Sequence, residues 1–340
     1  MTKIYLTHTP EALTNYYGER ALAQLRSLGD VTLNLHERPL TLDEFVSAAA
    51  GHEIVLASRE AAAPADLFER LPDLIAFCRV AVDIRNIDVD AASRHGVLVT
   101  RATPGFDTSV AEWVIGVMID LGRGISASAS AYWQGQAPAI EMGRELRAAT
   151  LGVVGYGFIG QRLALLGRAL GMRVLVCDPH ACVAEQGIEQ AVFDDVLASA
   201  DFVVCLAPAT EQTVDLFSTA AFARMRPDAY FINASRGELV DEGALLRALD
   251  TGVIAGAALD VGRAADQMPS PRLAVHPRIL ATPHIGGLTP SATEHQAMDT
   301  VQQVRALVDG KFPAHAVNAE HAVRVARLPG FSGNVEGVRT

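Results

Sequence analysis

The 340 residues predict an α/β protein built as two units with parallel sheets, and three observations predict it. Short apolar runs alternate with helical patterns, and the alternation occurs twice. A long amphipathic segment lies between the two series. The second series opens on a glycine-rich turn set between a strand and a helix. Strand, helix, strand in this rhythm means parallel pairing with helices on both faces.

In the first series, residues 4–6, 31–35, 54–58, 74–78 and 97–100 have the length and bounding of buried strands. Residues 11–28 read as a helix stopped by Gly29. Thr41-Leu42-Asp43-Glu44 is a capping box opening a second helix, and residues 89–95 form a third that closes on Gly96. The amphipathic segment covers residues 107–133. Strands then follow at 151–155, 173–177, 202–206, 229–232 and 279–281, with helices between them, notably at 159–170 and 241–251. A helical stretch at 291–310 comes last, and the Gly-rich residues 329–340 read as a tail.

Half the residues are apolar and a fifth are charged, ordinary for a globular enzyme long enough for two cores. A formal net charge of −11 leaves no basic stripe for a nucleic-acid backbone. The four cysteines show no metal-ligand spacing, so no metal is expected, and they read as free thiols of a reducing compartment. The N-terminus lacks the apolar core of a signal peptide. No run reaches the roughly 20 apolar residues that span a bilayer. A cytoplasmic chain without a membrane partner is the expectation.

The turn Gly155-Tyr156-Gly157-Phe158-Ile159-Gly160 has the G-x-G-x-x-G spacing that binds dinucleotides, and its surroundings make the match specific. It follows a strand and opens a helix, whose free N–H groups and dipole suit a pyrophosphate. The next strand ends in Asp178, eighteen residues past Gly160, placed to accept hydrogen bonds from the adenosine ribose. Asp178 would repel a 2′-phosphate, and no Arg or Lys follows closely, so NAD is expected rather than NADP. Both units are accordingly expected to be Rossmann-like or flavodoxin-like.

Four stretches, in this order, resemble the D-isomer-specific 2-hydroxyacid dehydrogenases. They are residues 153–160 with Asp178, then Phe231-Ile232-Asn233-Ala234-Ser235-Arg236-Gly237, then Ala257-Ala258-Leu259-Asp260-Val261, and Thr282-Pro283-His284-Ile285-Gly286-Gly287. Asn86-Ile87-Asp88 and Val110-Ala111-Glu112 are weaker echoes. The resemblance runs to about residue 320. It implies a nucleotide-binding domain at 102–290 inserted into a substrate domain made of residues 1–101 and 291–328, with the cleft between them. It also implies a homodimer built on the 107–133 segment.

The activity implied is NAD-dependent interconversion of a small (R)-2-hydroxy acid and its 2-oxo acid, an anionic substrate. An arginine holds a carboxylate in two parallel hydrogen bonds, and Arg236 stands at the carboxyl end of a strand where ligands of open α/β sheets collect. The proton exchanged with the substrate oxygen suits histidine, and of the ten histidines only His284 lies in a motif; the others look solvated. By the resemblance, Asp260, Ala207, Thr213, Ala234, Ser235, Arg236, His284, Gly286 and Gly287 lie on the nicotinamide side of the cofactor site, and Val80, Ala81 and Val82 contact substrate.

Two departures stand out. The family's third catalytic residue is a glutamate twenty-nine positions beyond the arginine, which here is Ala265. No glutamate occurs in 261–267; Asp266 is the adjacent candidate replacement, one methylene shorter, and Gln267 lies two positions off. Without that carboxylate beside the histidine, reduction near neutral pH is expected to slow. A second reading therefore keeps the fold and the NAD site in a catalytically weakened sensor or scaffold. Retention of Arg236 and His284 argues against it. The other departure is in the substrate loop, where relatives carry glycines and this chain has 79–86, including Asp83 and Arg85. Arg85 and Arg101 suit either a substrate with a second anionic group or ion pairs with Asp83 and Asp107.

Overall fold

The computed structural model describes residues 1–331, the side chain of Asp266 excepted, so most of the expected tail lies outside the described residues. The chain divides into two compact units, one formed by Met1–Gly105 with the chain from Pro290 onward, the other by Phe106–Thr289. Ala102 stays with the first unit because its N–H reaches the carbonyls of Arg79 and Ala81 at 3.0 and 3.1 Å. Thr103 stays as well, its N–H donating to the Asp299 carboxylate at 2.6 Å. The first unit therefore runs on to Gly105 before the second begins.

The first unit contains β1 (Lys3–Leu6), β2 (Asp30–Leu33), β3 (Ile54–Ala57), β4 (Ala76–Arg79) and β5 (Leu98–Arg101). They form one parallel sheet in the order β2-β1-β3-β4-β5, the flavodoxin-like arrangement. Side chains alternate between the faces as a strand requires. Ile4, Leu6 and Cys78 pack with Leu25, Val301 and Val304 on one face. Tyr5, Val55 and Phe77 pack with Phe45, Leu67 and Phe68 on the other. The capping box at Thr41 and Glu44 forms as expected. The helix expected over 11–28 is instead two, Pro10–Tyr16 and Glu19–Leu28, because Gly18 turns the chain at φ 84°.

The second unit contains β6 (Thr150–Val154), β7 (Arg173–Cys177), β8 (Glu189–Gln190), β9 (Phe202–Cys205), β10 (Tyr230–Asn233), β11 (Gly256–Leu259) and β12 (Ile279–Ala281). The order is β12-β11-β10-β9-β6-β7-β8, again parallel throughout. Strand order reverses between β6 and β9, the switch point at which open α/β sheets bind ligands. Gly-Ala-Ala-Leu in β11 has no β-branched or aromatic residue; pairing with β10 on one side and β12 on the other makes it a strand. Val153, Val204 and Ile232 lie on the face covered by Ala111, Val114 and Met118 of the helix Asp107–Arg123. Each such burial contributes about 1.5–3 kcal/mol before the entropy of ordering is counted. Gly124, left-handed at φ 62°, breaks the expected 107–133 helix in two, the second piece being Ile125–Trp133. Among the described residues no helix is long and apolar enough to cross a membrane.

Candidate active site of the central unit

The glycine turn follows β6, and two of its three glycines are there because nothing else fits. Gly155 has φ 103°, and a Cβ on it would fall 2.5 Å from the Ala207 nitrogen and 2.6 Å from the Leu206 carbonyl carbon. A Cβ on Gly160 would lie 2.2 Å from the Gly155 oxygen. Gly157 differs, since a Cβ there would meet nothing within 4 Å. That open space beside the backbone is what a pyrophosphate needs. The helix Phe158–Ala169 starts at this point with no side-chain cap and no acidic residue in its first turn, so its N-terminal N–H groups suit an anion. Phe158 is 69% exposed, and Ile159 is half-buried.

Asp178, one residue past β7, ties the neighbouring loop to this turn. Its Oδ2 accepts the Tyr156 N–H at 2.7 Å and its Oδ1 the His180 N–H at 2.8 Å. Partial burial opposes ionisation, yet the N–H groups of Tyr156, His180 and Ala181 outweigh it and hold the carboxyl below its ordinary value. A spacious glycine backbone, an uncapped helix start and an ionised carboxylate past the next strand fit a dinucleotide.

On the other side of the switch point the loops past β9, β10, β11 and β12 carry the remaining site residues. Ala207 is buried past β9, and its carbonyl accepts from the Ser235 hydroxyl. The Thr213 hydroxyl closes that loop, accepting the Thr210 N–H and donating to the Pro208 carbonyl at 2.8 and 2.7 Å. The segment Ala234–Arg236 is stapled by Asn233, which is 1% exposed. Its Oδ1 accepts the Ser235 N–H, and its Nδ2 donates to the Arg236 carbonyl, both at 3.0 Å. The motif alone gives Asn233 no role, although a polar residue ending an apolar strand is a local signal for one. The Arg236 guanidinium donates to the Ser235 carbonyl at 2.7 Å. Gly237 is obligatory, since a Cβ there would come 2.1 Å from the Gly262 carbonyl carbon.

Asp260 directly follows β11 and is 3% exposed. Its carboxylate reaches sideways into the turn after β12. Oδ1 accepts the Thr282 hydroxyl at 2.6 Å and the Ile285 N–H at 2.8 Å, and Oδ2 accepts the Gly286 N–H at 2.7 Å. His284 sits inside that turn with φ 55°, a left-handed conformation uncommon for a residue with a side chain. Gly287 packs against Phe106. Ala265 is exposed in the turn Ala265–Gln267; Asp266 follows it there, with its side chain outside the described residues.

The fold thus gathers the glycine turn, Asp178, Arg236, Asp260 and His284 along one sheet edge. Val80, Ala81 and Val82 belong to the other unit, buried or half-buried after β4. There the Arg85 guanidinium forks onto the Asp83 carboxylate at 2.8–3.1 Å; in the central unit Asp107 faces Arg162 at 3.7 Å. The expectation that the other histidines are solvated fails at His8. It is buried against Tyr17, and desolvation, aided by the Arg79 charge, pushes it down to about 3.

The family model of the D-isomer specific 2-hydroxyacid dehydrogenase NAD-binding domain matches residues 115–286. The D-3-phosphoglycerate dehydrogenase of Bacillus subtilis (strain 168) is 35% identical over 260 residues, covering 74% of this chain and 49% of that protein. Chloroplastic D-3-phosphoglycerate dehydrogenase 2 of Arabidopsis thaliana is 31% identical over 312 residues, covering 90% of this chain and 50% of that one. The chain spans about half the length of these relatives. Among solved structures, Lactobacillus jensenii D-lactate dehydrogenase with NAD+ is 26% identical, with a TM-score of 0.80 over 93% of this chain and 99% of that one. The chain belongs to the D-isomer specific 2-hydroxyacid dehydrogenase family, a family of NAD-dependent oxidoreductases.

Proposed function

We propose that this protein interconverts a small (R)-2-hydroxy acid and its 2-oxo acid, with Arg236 holding the carboxylate and His284 exchanging the proton. The carrying observation is that Arg236 and His284 follow β10 and β12, the two neighbours of β11 on the sheet edge that bears the glycine turn. Bound there, the nicotinamide supplies a hydride for reduction and takes one back in oxidation. The Arg236 guanidinium orients the substrate through its planar fork. Protonated His284 gives its proton to the oxygen on C2 during reduction; neutral His284 withdraws it during oxidation.

NAD is the preferred cofactor in this reading, because the Asp178 carboxylate opposes a 2′-phosphate. We further propose a homodimer. Tyr132, Trp133, Ile140 and Met142 leave an apolar surface beside the 107–133 segment, Trp133 being 86% exposed. Sedimentation at several concentrations measures this; a monomer throughout rejects it.

The reaction is tested by NADH oxidation against a panel of 2-oxo acids over a range of pH. Turnover is expected, with kcat/KM lowered about 30- to 100-fold in Arg236→Lys, the equivalent of roughly 2–3 kcal/mol for a charged hydrogen bond. Tight NADH binding without turnover of any acid would instead favour the sensor.

A further inference from the structure

Resting on the proposed role of His284, we infer that Asp260 is a positioning residue. Its carboxylate clamps the turn after β12 and thereby aims the imidazole, without touching the reacting atoms.

The turn has to be held. His284 occupies the left-handed region at φ 55°, where Cβ crowds the backbone, a conformation uncommon even for histidine. Pro283 lacks an N–H altogether. The restraint comes from the next strand. The Thr282 N–H continues the ladder to the Leu259 carbonyl at 2.9 Å, and the His284 N–H reaches the Asp260 carbonyl, also at 2.9 Å. The Asp260 carboxylate then collects three more donors from residues 282, 285 and 286. Backbone and side chain of one residue thus hold both flanks of His284.

The chemistry suits a carboxylate and nothing else of its size. A carboxylate offers about four lone-pair sites and no donor, so it accepts on both oxygens at once. Here three of those sites are filled by donors at 2.6–2.8 Å, within the range of charge-assisted bonds. Successive N–H groups around a left-handed residue form a concavity for an anion, and Asp260 fills it from inside the protein. An asparagine keeps one acceptor but turns a donor toward the other N–H. Gly286 belongs to the same device, because a Cβ on it would lie 2.8 Å from the Asp260 Oδ2.

The resemblance to relatives suggests a different duty, contact with the nicotinamide. The two duties separate experimentally. In Asp260→Asn, kcat is expected to fall about 100-fold, with NADH Kd and substrate KM within about threefold of wild type and a flattened pH profile. Gly286→Ala, which keeps Asp260 but crowds its oxygen, is expected to lose kcat in the same way. Amide hydrogen exchange on the NADH-bound protein provides a readout independent of turnover. Ile285 and Gly286 are expected to lose at least tenfold protection in Asp260→Asn, while amides of β6 and β7 keep theirs. Weakened NADH binding with kcat preserved would overturn the proposal, as would unchanged protection at Ile285 and Gly286. If wild type turns over no 2-oxo acid, the reaction fails, and the exchange data still decide the clamp.

Discussion

Two turns on the same sheet edge, Gly155–Gly160 and Thr282–Gly287, meet the same problem in different ways. Each lies past a strand, and each donates hydrogen bonds to an aspartate one residue past the neighbouring strand. Asp178 takes one N–H from the glycine turn and spends its other oxygen on its own loop. Asp260 takes three donors from the histidine turn. The glycine turn is shaped by missing side chains, with backbone passing where a Cβ would collide. The histidine turn has to present a side chain, so it is shaped by a buried anion instead. A turn that binds through its backbone can dispense with side chains; a turn that displays an imidazole cannot.

The sharpest break in this comparison is Gly155→Ala. A Cβ 2.5 Å from the Ala207 nitrogen at φ 103° cannot be accommodated without backbone movement. Stability is expected to drop by about 3 kcal/mol or more, with NADH binding lost. Urea denaturation and fluorescence titration would show it. Gly157→Ala sharpens the contrast, since its Cβ meets nothing. Stability there should change by no more than about 0.5 kcal/mol, while NADH affinity falls roughly thirtyfold as the methyl occupies pyrophosphate space. Parallel losses in both quantities would refute the assignment of that space.

A smaller effect is expected at Ala265, where the resemblance leads one to expect a glutamate. Ala265→Glu adds a negative charge at the position where the resemblance implies one. The upper limb of the pH profile for reduction should move up by about one unit, roughly a tenfold gain in kcat above neutrality. An unmoved limb would mean that residue 265 does not address His284. Asp178→Asn should give the smallest change. The folded carboxyl lies below its ordinary value, so its stabilisation is present above about pH 4 and vanishes as pH falls through the lowered value. The difference in thermal stability between wild type and variant should therefore close in acid. With Asp178 only partly buried and screened by solvent, it should not exceed about 1 kcal/mol at neutral pH.

Much of the molecule was legible beforehand because its signals are local. A buried parallel strand needs an apolar run, and a cofactor turn needs glycines between strand and helix; both are contiguous in sequence. The breaks at Gly18 and Gly124 were less visible, since a glycine inside a helical pattern can be tolerated or can turn the chain. β11 was hidden because its four residues carry no strand propensity, and its neighbours on both sides determine its conformation. His8 was misread because the ring burying it, Tyr17, and the charge beside it, Arg79, come from other elements.

The amino-acid order by itself determined the α/β class, the dinucleotide turn with Asp178, and the pairing of an arginine with a histidine in family motifs. Each depends on residues near one another in the chain, where propensity and steric exclusion act directly. What Asp260 does was decided only by tertiary structure. Its partners at residues 282, 285 and 286 are brought within hydrogen-bonding distance by the pairing of β11 with β12, and a buried polar group takes its meaning from the atoms that satisfy it.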